Sequence, residues 1–135
     1  MMKLKIDTET FRIISIFERV ARVQPKDCIL SENSAYFLID PDGMPLAIGK
    51  QGSTAKKLSR ILAKEVRIFQ YSSDPSTLIK NLVPSAENIE VSGSSAKLSI
   101  PAKDKSAAIG RGGKNINVIK EFLERHCGIT EVKIR

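Results

Sequence analysis

The chain has 135 residues, and 41% of them are hydrophobic, so it can bury a core and is expected to be globular. Its longest apolar run falls well short of the roughly 20 residues of a membrane-spanning helix, and MMKLKIDTET has no signal-peptide core, so a cytoplasmic location without membrane contact is expected. The 22 Lys and Arg against 15 Asp and Glu give a formal net charge of +7, which permits a polyanionic partner without proving one.

The first half of the chain predicts three helices and three strands. Apolar residues at helical spacing predict the first helix, with Thr10 as its N-cap and Pro25 ending the segment. The third helix is predicted to start at Ser53, with Thr54 as an alternative cap. In chain order the predicted elements are a helix over 10–23, strands over 28–32 and 35–40 joined at Asn33-Ser34, helices over 44–48 and 53–64, and a strand over 66–71.

The second half predicts the same order of elements. Asp74 and Pro75 are typical of a helix start, and Gly128 is typical of a helix C-cap. The predicted elements are a helix over 75–83, strands over 89–92 and 96–100, helices over 103–109 and 114–127, and a strand over 130–135.

This shared order reflects an internal repeat. LAIGKQGSTAKKLSRIL, residues 46–62, matches AAIGRGGKNINVIKEFL, residues 107–123, at a constant offset of 61 positions. The predicted fold is therefore α+β, with two domains over 1–73 and 74–135. Each domain is α-β-β-α-α-β, with a Gly-x-x-Gly loop between its last two helices.

The repeated loop contains glycines, cations and hydroxyls, which together indicate a phosphate-binding site. A Walker A loop does not fit, because Gly49-Lys50 is followed by Gln51 instead of Ser or Thr, and the earlier glycine of that motif is missing. A nucleotide hydrolase is therefore disfavoured. A loop that feeds a helix can instead present backbone N–H groups and the positive end of the helix dipole to a sugar–phosphate backbone.

Each loop carries a cation at a middle position, Lys50 in the first copy and Arg111 in the second. On the helix after the first loop, Lys56, Lys57 and Arg60 could extend the positive surface, or could form an ordinary solvated face. Apolar residues beside the loops could line a groove for bases: Ile48, Ala55, Ile109 and Ile116. The chain contains few other candidates, since Cys28, Cys127 and His126 are too dispersed for a zinc site and no nucleophile lies beside a base. No cofactor, metal or catalytic residue is expected.

The two loops resemble the signature of the KH domain, Ile/Val-Gly-x-x-Gly between two helices, at residues 48–52 and 109–113. Two strands before each loop resemble the type II order. Tandem type II KH domains resemble those of NusA-family transcription factors, and a chain with only the tandem pair is similar to archaeal members of that family. The resemblance implies a monomeric, non-enzymatic protein that binds single-stranded RNA, with RNA polymerase or other transcription proteins as further partners.

The resemblance carries these roles onto the matching loop positions and the cations and polar residues that follow them. The expected RNA-binding residues are Ile48, Gly49, Lys50, Gln51, Gly52, Ser53, Lys56 and Lys57 in the first copy, and Ile109, Gly110, Arg111, Gly112, Gly113, Lys114 and Asn115 in the second. The implied activity is transcription elongation, termination or antitermination. Three alternatives stay open. The domains could be degenerate and dock on RNA polymerase or ribosome, the chain could be a ribosome-assembly factor that binds RNA, or its ligand could be single-stranded DNA.

Overall fold

The computed structural model describes residues 8–135, so the segment MMKLKID, to which part of the signal-peptide expectation refers, lies outside the described residues. The chain divides into two compact units, Met1–Tyr71 and Ser72–Arg135. Both mix helices with a three-stranded sheet, which is an α+β architecture consistent with KH-like domains. Among residues 8–135, no helix has the length and apolar character needed to cross a membrane.

The first unit places three helices and a small mixed sheet in the order α-β-β-α-α-β. In its sheet, β2 lies between an antiparallel β1 and a parallel β3, and every residue of β2 is buried. A continuous apolar run such as SAYFLI is typical of such a central strand. The elements are α1 Thr8–Ala21, β1 Asp27–Leu30, β2 Ser34–Ile39, α2 Met44–Ile48, α3 Ser53–Leu62 and β3 Glu65–Gln70.

The second unit repeats this plan. Its sheet has the order β4-β5-β6, with β5 antiparallel to β4 and parallel to β6. Ala96 and Leu98 of β5 are buried, whereas Lys97 between them is exposed and the terminal serines are half-buried, so one side of the strand is polar. The elements are α4 Pro75–Leu82, β4 Glu87–Ser92, β5 Ser95–Ser99, α5 Ala102–Ile109, α6 Lys114–Cys127 and β6 Glu131–Ile134.

The core of the first unit forms where α1, α2 and α3 pack on the sheet. Phe17 of α1 stacks on Phe37 of β2 with ring centroids 4.2 Å apart, and Ala47 and Leu58 are fully buried beside them. Burial of side chains of this size is the main favourable contribution to folding, at about 1.5–3 kcal/mol for each large one. The core therefore fixes the ends of α2 and α3, between which the first glycine loop lies.

Most predicted elements are present, with errors at their ends. The first helix begins at Thr8, so Thr10 lies inside it and is not the N-cap; it ends at Ala21, before Pro25. Ser34, predicted in the hairpin turn, is instead the first residue of β2. The segments 44–48 and 114–127 are helices with the predicted bounds.

Two large apolar side chains on helices of the first unit are exposed. Phe11 is 63% exposed and Ile61 is 48% exposed, although its repeat partner Phe122 is fully buried. On α1 the buried positions are instead Ile13, Phe17 and Ala21, which follow each other at intervals of four residues. The helix has apolar residues on more than one face, so their spacing alone does not show that Phe11 lies outside the core.

Candidate nucleic-acid interface

The two glycine loops have nearly the same backbone conformation. The first glycines have φ and ψ of 78° and 170° at Gly49 and 79° and 164° at Gly110. The last glycines are left-handed in both loops, with φ of 76° at Gly52 and Gly113. Each loop is closed by a hydrogen bond from the N–H of its last glycine to the carbonyl of its first, at 3.1 Å in both cases. The repeat in sequence is therefore a repeat in geometry.

The first glycine of each loop is required by close approach as well as by its conformation. A Cβ on Gly49 would lie 2.6 Å from the backbone nitrogen of Thr54 and would also meet its hydroxyl. A Cβ on Gly110 would lie 2.9 Å from the backbone nitrogen of Asn115. Only hydrogen fits at these two positions, because the loop folds back onto the first turn of the following helix.

The third residue of the four-residue loop, Gln51 or Gly112, differs between the two copies. Gln51 has φ 56° and ψ 30°, the left-handed region, and Gly112 has φ 65° and ψ 20°. A side chain in this region costs about 1–2 kcal/mol, a cost that Gly112 avoids. The first loop therefore holds a strained residue and the second loop does not.

The helices after both loops begin without a side-chain cap. Gly52 and Gly113 are the N-caps of α3 and α6, so the prediction that Ser53 caps α3 is wrong, and Ser53 is the first helical residue. The N-cap of α4 is different, because the Asp74 carboxylate accepts the N–H of Thr77 at 2.9 Å. The N–H groups of Ser53 and Lys114, the first helical residues, already donate to the loop carbonyls of Lys50 and Arg111. No side chain caps the N–H groups that follow them, and such groups in the first turn of a helix can bind an external anion.

The predicted cations lie beside these helix starts and have no carboxylate partner within residues 8–135. In the first unit Lys50, Lys56 and Lys57 are exposed, and in the second Arg111 is exposed and Lys114 is half-buried. An exposed cation without an ion pair does not have to break one before it binds a phosphate. Exposed or half-buried positive charge therefore lies in each loop and in the helix that follows it.

Asn115 has a structural contact that its sequence position did not reveal. Its side-chain amide donates to the carbonyl of Ala107 at 3.1 Å, which ties the start of α6 to the end of α5 across the loop. In the first unit the matching residue is Thr54, which packs against Gly49 as Asn115 packs against Gly110. The amide side chain at position 115 is the only feature of the sequence that could have indicated this hydrogen bond. Asparagine is too common near helix starts for that feature to be specific.

The apolar residues beside the loops are only partly available. Ile48 is 37% exposed, Ile109 and Ala55 are half-buried, and Ile116 is 9% exposed. Ile116 thus belongs mainly to the buried part of α6, whereas Ile48 presents an edge to solvent. Any contact with a base in the first unit would therefore involve Ile48 more than its neighbours.

The cysteines and the histidine do not form a second site. Within the part of the chain that the structure describes, no three His, Cys, Asp or Glu side chains form a group that could hold a metal ion. Partial burial raises the pKa of the Cys127 thiol, and the negative charge of Asp74 adds to this effect. A raised pKa keeps the thiol protonated at neutral pH, which disfavours nucleophilic or ligand chemistry.

With this geometry described, comparison with known proteins defines the class. No protein-family model matches the chain. It is 30% identical over 140 residues to the "Probable transcription termination protein NusA" of Methanocaldococcus jannaschii, covering 99% of this chain and 76% of that protein. A protein of the same name from Thermoplasma acidophilum is 22% identical over 141 residues, covering 100% of this chain and 98% of that protein.

A solved structure agrees with these relatives in sequence and in fold. The crystal structure of APE1850 has 33% sequence identity and a TM-score of 0.74, covering 96% of this chain and 100% of that one. The relatives define a class of archaeal proteins related to transcription. Within that class, the chain belongs to the NusA family of transcription termination proteins.

Proposed function

We propose that the chain binds single-stranded RNA, without catalysis, through the two glycine loops of tandem type II KH domains over 1–73 and 74–135. The observation that carries the proposal is the paired geometry: two loops of nearly equal backbone conformation, each followed by a glycine-capped helix and flanked by unpaired cations. The names of the relatives support a role in transcription termination, and the same chemistry would serve elongation or antitermination on nascent RNA.

The binding mechanism follows from the arrangement of donors. A phosphate at the loop would accept hydrogen bonds from backbone N–H groups in the first turn of α3 or α6, where the helix dipole is positive. Lys50 or Arg111 would add charge attraction from the middle of each loop, and Lys56, Lys57 and Lys114 would extend it. A KH loop clamps about four nucleotides in this way, so two joined domains gain affinity only on a strand long enough to reach both.

A second candidate function is favoured by the exposed apolar residues of the first unit. Leu46 is 55% exposed, in addition to Phe11 and Ile61, and exposed apolar side chains that form a contiguous patch often mark a protein-binding surface. This candidate is a protein-interaction module that docks on RNA polymerase or ribosome. It predicts that changes at the loops leave partner binding intact.

The test is fluorescence anisotropy with a labelled single-stranded RNA of about twelve nucleotides, titrated at several salt concentrations. The loop variant is Lys50→Glu with Arg111→Glu. The matched control is Lys97→Glu with Lys133→Glu, which reverses two exposed cations that belong to strands β5 and β6 and not to a loop or to the helix after it. Circular dichroism checks that both variants fold.

If each loop cation contacts one phosphate, the loop variant loses two contacts, and the slope of log affinity against log salt falls by about 1.4. The corresponding loss of affinity is about 25-fold at ~0.1 M salt, while the control stays close to the native protein. Equal losses in both variants would show that only total charge matters. If the native chain binds no RNA at all, the protein-interaction candidate replaces the proposal, and binding to purified RNA polymerase becomes the measurement.

A further inference from the structure

The helices that lead into the two loops present different exposed surfaces. At equivalent positions, 61 residues apart, the first unit has Pro41, Asp42, Pro45 and Leu46, and the second has Ala102, Lys103, Ser106 and Ala107. All eight residues are exposed. The surface before the first loop is thus acidic and bulky, whereas the surface before the second loop is basic and built from small side chains.

In the second unit these residues form one face of a continuous helix. Positions 102 and 106, 103 and 106, and 103 and 107 are three or four residues apart, so the four residues lie along one side of α5. The N–H of Gly110 donates to the carbonyl of Ser106 at 3.0 Å, so this face leads directly into the loop. Lys103 lies about 9 Å along the helix axis from Ile109, the last residue of α5.

The charge on this face is available to a ligand. Within residues 8–135, Lys103 has no ion-pair or hydrogen-bond partner, and its side chain is exposed. The hydrogen bond from Asn115 to the carbonyl of Ala107 holds the end of this face against the start of α6. The face of α5, the loop and the start of α6 therefore form one connected surface, with Lys103 at one end and Lys114 at the other.

We infer that RNA bound at the second loop continues onto α5, where Lys103 and the hydroxyl of Ser106 contact its phosphates. The first unit has no such extension, because Asp42 repels phosphate at the position of Lys103 and Leu46 obstructs the position of Ala107. This inference rests on the proposed function, and it makes the two footprints unequal in length. The second unit therefore contacts the longer stretch of the RNA backbone.

The experiment measures RNA affinity and its salt dependence for Lys103→Ala and for Ser106→Ala, with the same labelled RNA of about twelve nucleotides. The matched control is Lys133→Ala, an exposed cation on β6 of the same unit. Loss of one phosphate contact should lower the salt slope by about 0.7 for Lys103→Ala, which corresponds to about a 5-fold loss of affinity at ~0.1 M salt. Ser106→Ala removes a neutral donor, so it should lower affinity without changing the slope.

A reciprocal change tests the difference between the units. Asp42→Lys places a cation at the equivalent exposed position of the first unit, and it should raise both the affinity and the salt slope. The inference is overturned if Lys103→Ala behaves like Lys133→Ala while the Lys50→Glu, Arg111→Glu protein still loses binding. That outcome leaves the proposed function intact. If Asp42→Lys gives no gain, the account of why the first footprint ends at its loop is wrong.

Discussion

The two units reach the same loop geometry from different residues. In the first unit, a glutamine occupies the left-handed middle position and the first glycine packs tightly against Thr54. In the second unit, Gly112 occupies the middle position without strain, and Asn115 ties the flanking helices together. The comparison shows that the backbone conformation of the loop is the shared feature, whereas strain at its third position, the bond between the flanking helices and the flanking charge differ between the copies.

The largest expected loss of stability comes from substitution of the first glycine of each loop. Gly49→Ala forces a Cβ against the backbone of Thr54 in a conformation that is essentially restricted to glycine, so the first unit should lose about 3 kcal/mol of stability or more. Gly110→Ala should cost the second unit less, because its closest contact is longer. Hydrogen exchange of peptides from each unit measures the two losses separately.

The control for this pair is Gly52→Ala. Gly52 has φ of 76°, close to that of Gly49, but its added Cβ would meet nothing nearer than 3.9 Å. Its cost should therefore be limited to the backbone term of about 1–2 kcal/mol. A Gly49→Ala protein no less stable than Gly52→Ala would show that the contact with Thr54 relaxes without cost.

A smaller effect is expected from exchanging the middle residues. Gln51→Gly should stabilise the first unit, and Gly112→Gln should destabilise the second, each by about 0.5–1 kcal/mol. The signs differ because glycine relieves the left-handed strain, an advantage that its greater freedom in the unfolded chain partly offsets. A Cβ on Gly112 has nothing within 4 Å, so steric contact does not contribute.

Hydrogen exchange of each unit also measures the effect of these two substitutions on stability, with Gln51→Ala as the control. Alanine keeps the left-handed strain and removes only the rest of the side chain, so its stability should match that of the native protein. The interpretation fails if Gln51→Ala stabilises the first unit as much as Gln51→Gly does.

The smallest effect is expected at α4, whose N-cap is the carboxylate of Asp74. Hydrogen bonds from the side chain and backbone of Thr77 lower the pKa of Asp74 below its ordinary value of 3.8. A lowered pKa contributes stability that is present above the unfolded value and is lost as pH falls through the folded value. The second unit should therefore lose stability on acidification from about pH 5 to about pH 3.

Asp74→Asn keeps an amide oxygen as the cap but removes this titration. Urea unfolding of the native and Asp74→Asn proteins at both pH values measures the difference. The stability of the variant should change less with pH over this range. An identical pH dependence would show that the hydrogen bonds with Thr77 do not contribute through the charged carboxylate.

Much of the fold could be predicted from local patterns. The repeat at 48–52 and 109–113, the order of elements, the helix over 114–127 and the Asp74 and Gly128 caps all follow from residues close together in the chain. The ends of α1 and β2 could not be predicted, because they depend on which residues find partners in the sheet and core. For the same reason Ile61 and its repeat partner Phe122 have similar sequence surroundings but opposite burial.

The candidate site divides in the same way. The loop glycines, Lys50 and Arg111 are visible in the sequence, because a glycine-rich turn before a helix is a local feature. The glycine caps of α3 and α6, the strain at Gln51 and the bond from Asn115 to Ala107 became visible only in three dimensions. These features depend on the path of the backbone between two helices, which composition and spacing do not specify.

The sequence by itself determined that two similar α+β units carry two glycine loops and an excess of positive charge, since repeats, periodicity and charge are properties of the chain. The tertiary structure decided which side chains each unit buries and which cations remain unpaired. It also decided that Lys103 and Asp42, which the sequence repeat aligns, are both exposed. Packing and hydrogen bonding between residues distant in sequence set those outcomes, so a local pattern could not predict them.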